Sequence, residues 1–95
     1  ALEPKAYFPF IAADALLPTD KIIDLRSPDE APLITERAER HSLDNLDIAS
    51  VSAHQGRLVF CCQSGFRAWL AAEYCTPHGV ENIALLAAGT YSNQT

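Results

Sequence analysis

The sequence predicts an α/β fold built on a mainly parallel central sheet. Short apolar runs recur at 21–25, 57–61 and 82–86, and a helix-length segment at 67–74 meets no breaker before Pro77. Proline or glycine stands near the ends of these runs. Apolar strands alternating with helices bury both faces of a sheet, which parallel strands require. With 95 residues, 48% of them hydrophobic, the chain reads as one domain, 1–95, around a single core.

Along the chain, Lys5–Ile11 is aromatic and apolar but carries Pro9, which fits an edge strand. Ala12–Leu17 is read as a helical turn stopped by Pro18, and Lys21–Leu25 as a buried strand carrying Asp24 and Arg26 at its end. The charged, proline-containing stretch 29–40 predicts a loop, with a short strand near 40–43. Asp44 is expected to cap a helix covering Leu46, Ile48, Ala49 and Val51, closed by Gly56. Arg57–Cys61 is the clearest strand and Arg67–Tyr74 the clearest helix; Gly79 turns the chain into the strand Asn82–Leu86.

A net charge of −5 makes nonspecific nucleic-acid binding a poor expectation. No run approaches the roughly 18 apolar residues of a membrane span. Three cysteines, two of them adjacent, form no disulfide framework, so a reducing, cytoplasmic compartment is expected. The spacing of Cys61, Cys62 and Cys75 with His41, His54 and His78 fits no metal-ligand pattern, and neither a metal nor another cofactor is expected. The absence of Met and of a leader pattern at Ala1 is read as the mark of a piece or processed domain of a longer chain.

Cys62 stands between the best strand and the best helix, where ligands bind in open parallel sheets. In Gln63-Ser64-Gly65-Phe66-Arg67 the glycine allows a curl that can turn successive N–H groups toward one point. The helix that follows adds its positive end, and Arg67 adds a cation at the rim. Such surroundings favour a thiolate and hold an anion beside it. Cys61 is expected to point to the other side of the strand, in the core. Cys75 reads as a helix-end packing residue that could also act as a resolving thiol. The three histidines have no placed partner, and Trp69 and Tyr74 read as packing residues.

The segment Leu58-Val-Phe-Cys-Cys-Gln-Ser-Gly-Phe-Arg-Ala68 resembles the active-site region of rhodanese-family sulfurtransferase domains, where a strand ends in Cys-x-Ser-Gly-x-Arg before a helix. Ile22–Glu30 resembles the family's Asp-Val-Arg stretch, and Gly79–Gly89 its closing Gly-x-x-x-Val segment. The resemblance implies a rhodanese-like fold in which Cys62 bears a persulfide and 63–67 cradle it. It implies that Asp24 and Arg26 set the local charge and loop framework, a strand-end ion pair being an equal reading. It also implies a sulfur donor, persulfide or thiosulfate, and a thiol or sulfur-carrier protein as acceptor. Neutral Gln63 and apolar Phe66 depart from loops that use thiosulfate well, which favours a persulfidic donor, with Phe66 free to contact it. The family's Gly-His-Ile-Pro-Gly-Ala stretch has no clear counterpart in 36–43. The pattern is also similar to rhodanese domains that end adenylyltransferases acting on sulfur carriers.

Two rivals stand beside this reading. Phosphatases and arsenate reductases of related fold place five residues between cysteine and arginine; four lie between Cys62 and Arg67, but five between Cys61 and Arg67. A noncatalytic docking domain could keep the same fold.

Overall fold

Four parallel strands form the sheet of this protein, seen in a computed structural model that describes residues 8–89. In chain order these are β1 (Lys21–Asp24), β2 (Glu39–Arg40), helix α1 (Ile48–Ser52), β3 (Leu58–Cys62), α2 (Phe66–Cys75) and β4 (Ile83–Ala87), with 3-10 turns at 13–15, 43–45 and 76–78. The strand order is β2-β1-β3-β4, and every pairing is parallel. Beyond β4, Phe10 makes a parallel bridge to Leu85: the Leu85 N–H donates to the Pro9 carbonyl and the Ile11 N–H to the Leu85 carbonyl, both at 2.8 Å. Proline is tolerated there because only its carbonyl is used. Of the expected edge strand, Lys5 to Tyr7 lie outside the described residues.

The two-residue period of β3 sorts its side chains. Leu58, Phe60 and Cys62 join Ile23, Leu25, Leu85 and the inner face of α2 in one core layer, whereas Val59 and Cys61 join Ile22, Ala84 and Leu86 in the other. All five β3 residues are buried, as expected of a central parallel strand covered on both faces. Ala68, Ala71, Ala72 and Cys75 are the buried positions of α2. They fall at i, i+3, i+4 and i+7, a stripe of small side chains that lets the helix lie close on the sheet. Trp69 packs at the edge of this core and Tyr74 is 49% exposed, so Tyr74 is a surface residue rather than a packing one.

Boundaries differ from expectation where patterns are short. β3 runs one residue further and includes Cys62, β2 ends at Arg40 rather than extending to Leu43, and α2 gains a residue at each end. Asp44 does not cap α1. It sits inside a 3-10 turn, and Asp47, three residues on, accepts the Ser50 N–H at 3.2 Å as the cap.

Buried Asp24 organises the loop after β1. Its carboxylate accepts the Arg26 main-chain N–H at 3.1 Å, Arg26 Nε at 3.0 Å, Arg26 NH2 at 2.8 Å and the Ile34 N–H at 2.9 Å. Arg26 also donates to the Pro32 carbonyl at 3.0 Å, so one ion pair ties 24, 26, 32 and 34 together. At the opposite end of the sheet, Arg57 makes a two-point pair with buried Asp20, at 2.9 and 2.7 Å. Among the described residues no helix is long and apolar enough to cross a membrane.

Candidate active site

Cys62 ends β3, on the sheet face covered by α2. Its Sγ accepts the Gly65 N–H at 3.0 Å and the Ala68 N–H at 3.3 Å. Both contacts follow from helix-end chemistry. Gly65 is the N-cap of α2 with φ of 96°, and it has no side chain to satisfy the free N–H groups of the first turn. The sulfur of Cys62 takes that role, three residues upstream of the cap. A negative sulfur would gain from both donors and from the positive end of the helix.

The remaining loop residues have separate jobs. The Gln63 carbonyl accepts the Gly89 N–H at 2.7 Å, which ties the loop to the segment after β4. A side chain at Gly89 would have its Cβ 2.5 Å from Gln63 Nε2, so this close approach requires glycine. Ser64 Oγ accepts the Phe66 N–H at 3.4 Å. Phe66 is 64% exposed, and Phe10, 56% exposed, lays its ring against Gly65. Of the expected curl 63–67, only the Gly65 N–H reaches Sγ; the second donor is Ala68, inside the helix.

Gly65→Ala meets two obstacles: a left-handed φ, and a Cβ that would lie 2.8 Å from Phe10 Cε1. A loss of about 2–3 kcal/mol in urea unfolding is expected. Adding Phe10→Ala should restore only the steric share; full recovery in the double variant would show that the left-handed backbone contributes nothing.

Arg67 stands differently from expectation. It does not present a free cation to Cys62; NH1 and NH2 pair with both oxygens of Glu30, at 2.9 and 2.8 Å, and NH1 also donates to the Leu25 carbonyl at 3.1 Å. The Arg67 guanidinium, with a hydrogen bond from Ser27 N–H, holds the Glu30 carboxyl down at about 2. The sequence marks Glu30 only as the Glu that closes the Asp-Val-Arg resemblance and gives it no contact with Arg67, although Ser27-Pro28-Asp29-Glu30 has the spacing of a capping box. The Ser27 N–H indeed donates to Glu30 Oε1 at 2.9 Å. Phe10 was missed, and Ala68 and Gly89 stood in the resembling segments without a role; Phe10 and Gly89 meet the loop only through tertiary structure.

The two neighbouring thiols have opposite surroundings. Cys61 lies on the other face, where burial, followed by the nearby Asp24 carboxylate, pushes its thiol up to about 12. Asp24 and Arg26 therefore frame the loop and the Cys61 side rather than touch the Cys62 sulfur. Cys75 is buried at the far end of α2, about 15 Å of helix from the Cys62 loop, too far to resolve a bond on Cys62. His41 Nε2 lies 3.2 Å from Glu39 Oε1 on β2.

A cleft of ≈ 400 Å³ opens beyond the carboxyl ends of β1 and β2, lined by Leu25, Arg26, Glu30, Arg40, Leu43 and Arg67 among others. Cys62 does not line it and is fully covered, but the Arg67 side chain belongs both to its wall and to the electrostatic surroundings of Cys62.

This arrangement of a parallel sheet, a strand-end cysteine and a helix whose first N–H groups face it is a rhodanese-like fold. The chain is similar to a rhodanese-related protein from Thermoplasma volcanium, with a TM-score of 0.67 at 20% identity over 90% of this chain and 89% of that one. It is also similar to an NAD-dependent persulfide reductase from A. fulgidus, at 0.60 and 23% identity over 83% of this chain but 14% of that one. A third similar structure, from Rhodopseudomonas palustris, is a protein of unknown function described as a possible tyrosine phosphatase, at 0.66 and 16% identity over 90% of this chain and 78% of that one. No protein-family model matches the sequence, and no curated protein matches it significantly.

Proposed function

We propose that the protein is a sulfurtransferase that carries sulfane sulfur as a persulfide on Cys62 and passes it to a thiol or protein acceptor. The observation that carries this reading is the pair of N–H donors, from Gly65 and Ala68, converging on Cys62 Sγ. In the first step the Cys62 thiolate attacks the outer sulfur of a donor, and the donor's own sulfur–sulfur bond breaks. Fixed N–H groups and the helix end stabilise negative charge on sulfur in the loop without reorganising. An acceptor thiolate then attacks the outer sulfur and restores the Cys62 thiolate.

The spacing supports sulfur over phosphate. The five-residue count to Arg67 that a phosphatase loop uses begins at Cys61, whose side chain lies on the far face with its thiol pushed up to about 12. Three free cysteines also fit a reducing, cytoplasmic setting.

The test is intact-mass spectrometry after incubation with thiosulfate and with a small persulfide. A gain of one sulfur atom that maps to Cys62 and is discharged by added thiol is the expected result. Hydrolysis of an aryl phosphate without such a gain would favour the phosphatase reading. No adduct and no hydrolysis would leave a docking domain.

A further inference from the structure

The guanidinium that follows the Cys62 loop is already matched by a carboxylate. Arg67 meets Glu30 at two points, 2.9 and 2.8 Å, while its third contact is to the Leu25 carbonyl. Glu30 is fixed in turn by its own loop: its main-chain N–H donates to the Ser27 carbonyl at 2.9 Å, and its side chain accepts the Ser27 N–H at 2.9 Å. The carboxylate is therefore built into position. Glu30 and Arg67 both line the cleft beyond the strands. An anion arriving at Arg67 meets a neutral pair instead of a cation; of the other arginines in the cleft wall, Arg26 is paired with Asp24 and Arg40 donates to the Arg26 carbonyl.

We infer that Glu30 is a specificity-determining residue: by pairing with Arg67 it disfavours dianionic sulfur donors such as thiosulfate and leaves Cys62 to persulfides carried on thiols. This inference rests on the sulfurtransferase reading. The two donors differ in charge at the same step. With thiosulfate, the Cys62 thiolate bonds to the outer sulfur, the sulfur–sulfur bond breaks, and sulfite departs with the electron pair and both negative charges. With a protonated alkyl persulfide, the same bonds form and break, and the departing thiolate takes the proton from the outer sulfur. Only the first brings two charges up to Arg67, whose own charge Glu30 already matches. Removing one carboxylate about 5 Å from a dianion in a water-like medium changes its encounter by about tenfold.

The test uses the full chain and measures single-turnover loading of Cys62 by mass spectrometry, with thiosulfate and with 2-hydroxyethyl persulfide. Glu30→Gln keeps the shape and the Ser27 contact while removing the charge, and Glu30 is at the surface, its side chain 37% exposed. Loading from thiosulfate is expected to rise about tenfold in Glu30→Gln, while loading from the persulfide stays within about threefold. The gain should fall in about 1 M salt. Glu30→Ala provides an independent variant and should shift the ratio the same way. Persulfide loading with an unchanged ratio in both variants would overturn this inference alone. No loading from either donor, in the unmodified chain or the variants, would overturn the proposed function along with it.

Discussion

Cys62→Ser is expected to abolish sulfur loading, with a fall on the order of 10³-fold or more from either donor, whereas Cys61→Ala should load within about threefold of the unmodified chain. The contrast follows from the alternation of β3, which sends the two sulfurs into different layers. Cys62 Sγ receives two N–H donors, while burial and then the Asp24 carboxylate push the Cys61 thiol up to about 12 and keep it protonated at neutral pH. Alanine at 61 leaves a small apolar void without a new polar group to bury. Intact-mass spectrometry of both variants checks the pair. A one-sulfur adduct on Cys62→Ser that is lost on Cys61→Ala would reverse the assignment.

Asp24→Ala is expected to destabilise the fold by about 3–5 kcal/mol, because it strands the largely buried Arg26 guanidinium and the Ile34 N–H. Equilibrium urea unfolding measures it, and a loss below about 1 kcal/mol would show that the loop after β1 is not organised by this carboxylate. The same group fixes an acid dependence. Burial alone would raise its pKa, but hydrogen bonds from the Arg26 side chain and the Arg26 and Ile34 main chain outweigh it and hold Asp24 below its ordinary value of 3.8. A lowered folded-state pKa stabilises the native form above the unfolded-state value, and that contribution is lost as pH falls through the folded-state value. The stability gap between the unmodified chain and Asp24→Asn should therefore be full above about pH 4 and shrink below it.

Much of this was legible in the sequence because the information is local. Five consecutive buried residues in β3 and the small-residue stripe of α2 announce themselves by pattern, and Cys62 with Gly65 is a strand-to-helix junction that short-range chemistry defines. Contacts between distant segments were not legible. Glu30 reaches Arg67 across 37 positions, and Phe10 meets Gly65 only because the chain start pairs with β4. The cap of α1 was misplaced for a subtler reason. Asp44 and Asp47 are equally good caps by type, and the 3-10 turn at 43–45 that decides between them has no apolar period. β2, with two residues, is too short to carry a pattern at all.

Under the proposed sulfur transfer, the opposed faces of β3 also decide where a cargo atom can go. Two adjacent cysteines in one flat strand cannot close on each other without breaking that strand, and Cys75 is a helix length away. A charged Cys62 would thus have no exit within its own chain. Delivery becomes a two-body event, so the discharge rate should grow in proportion to acceptor concentration and vanish when no second molecule is present.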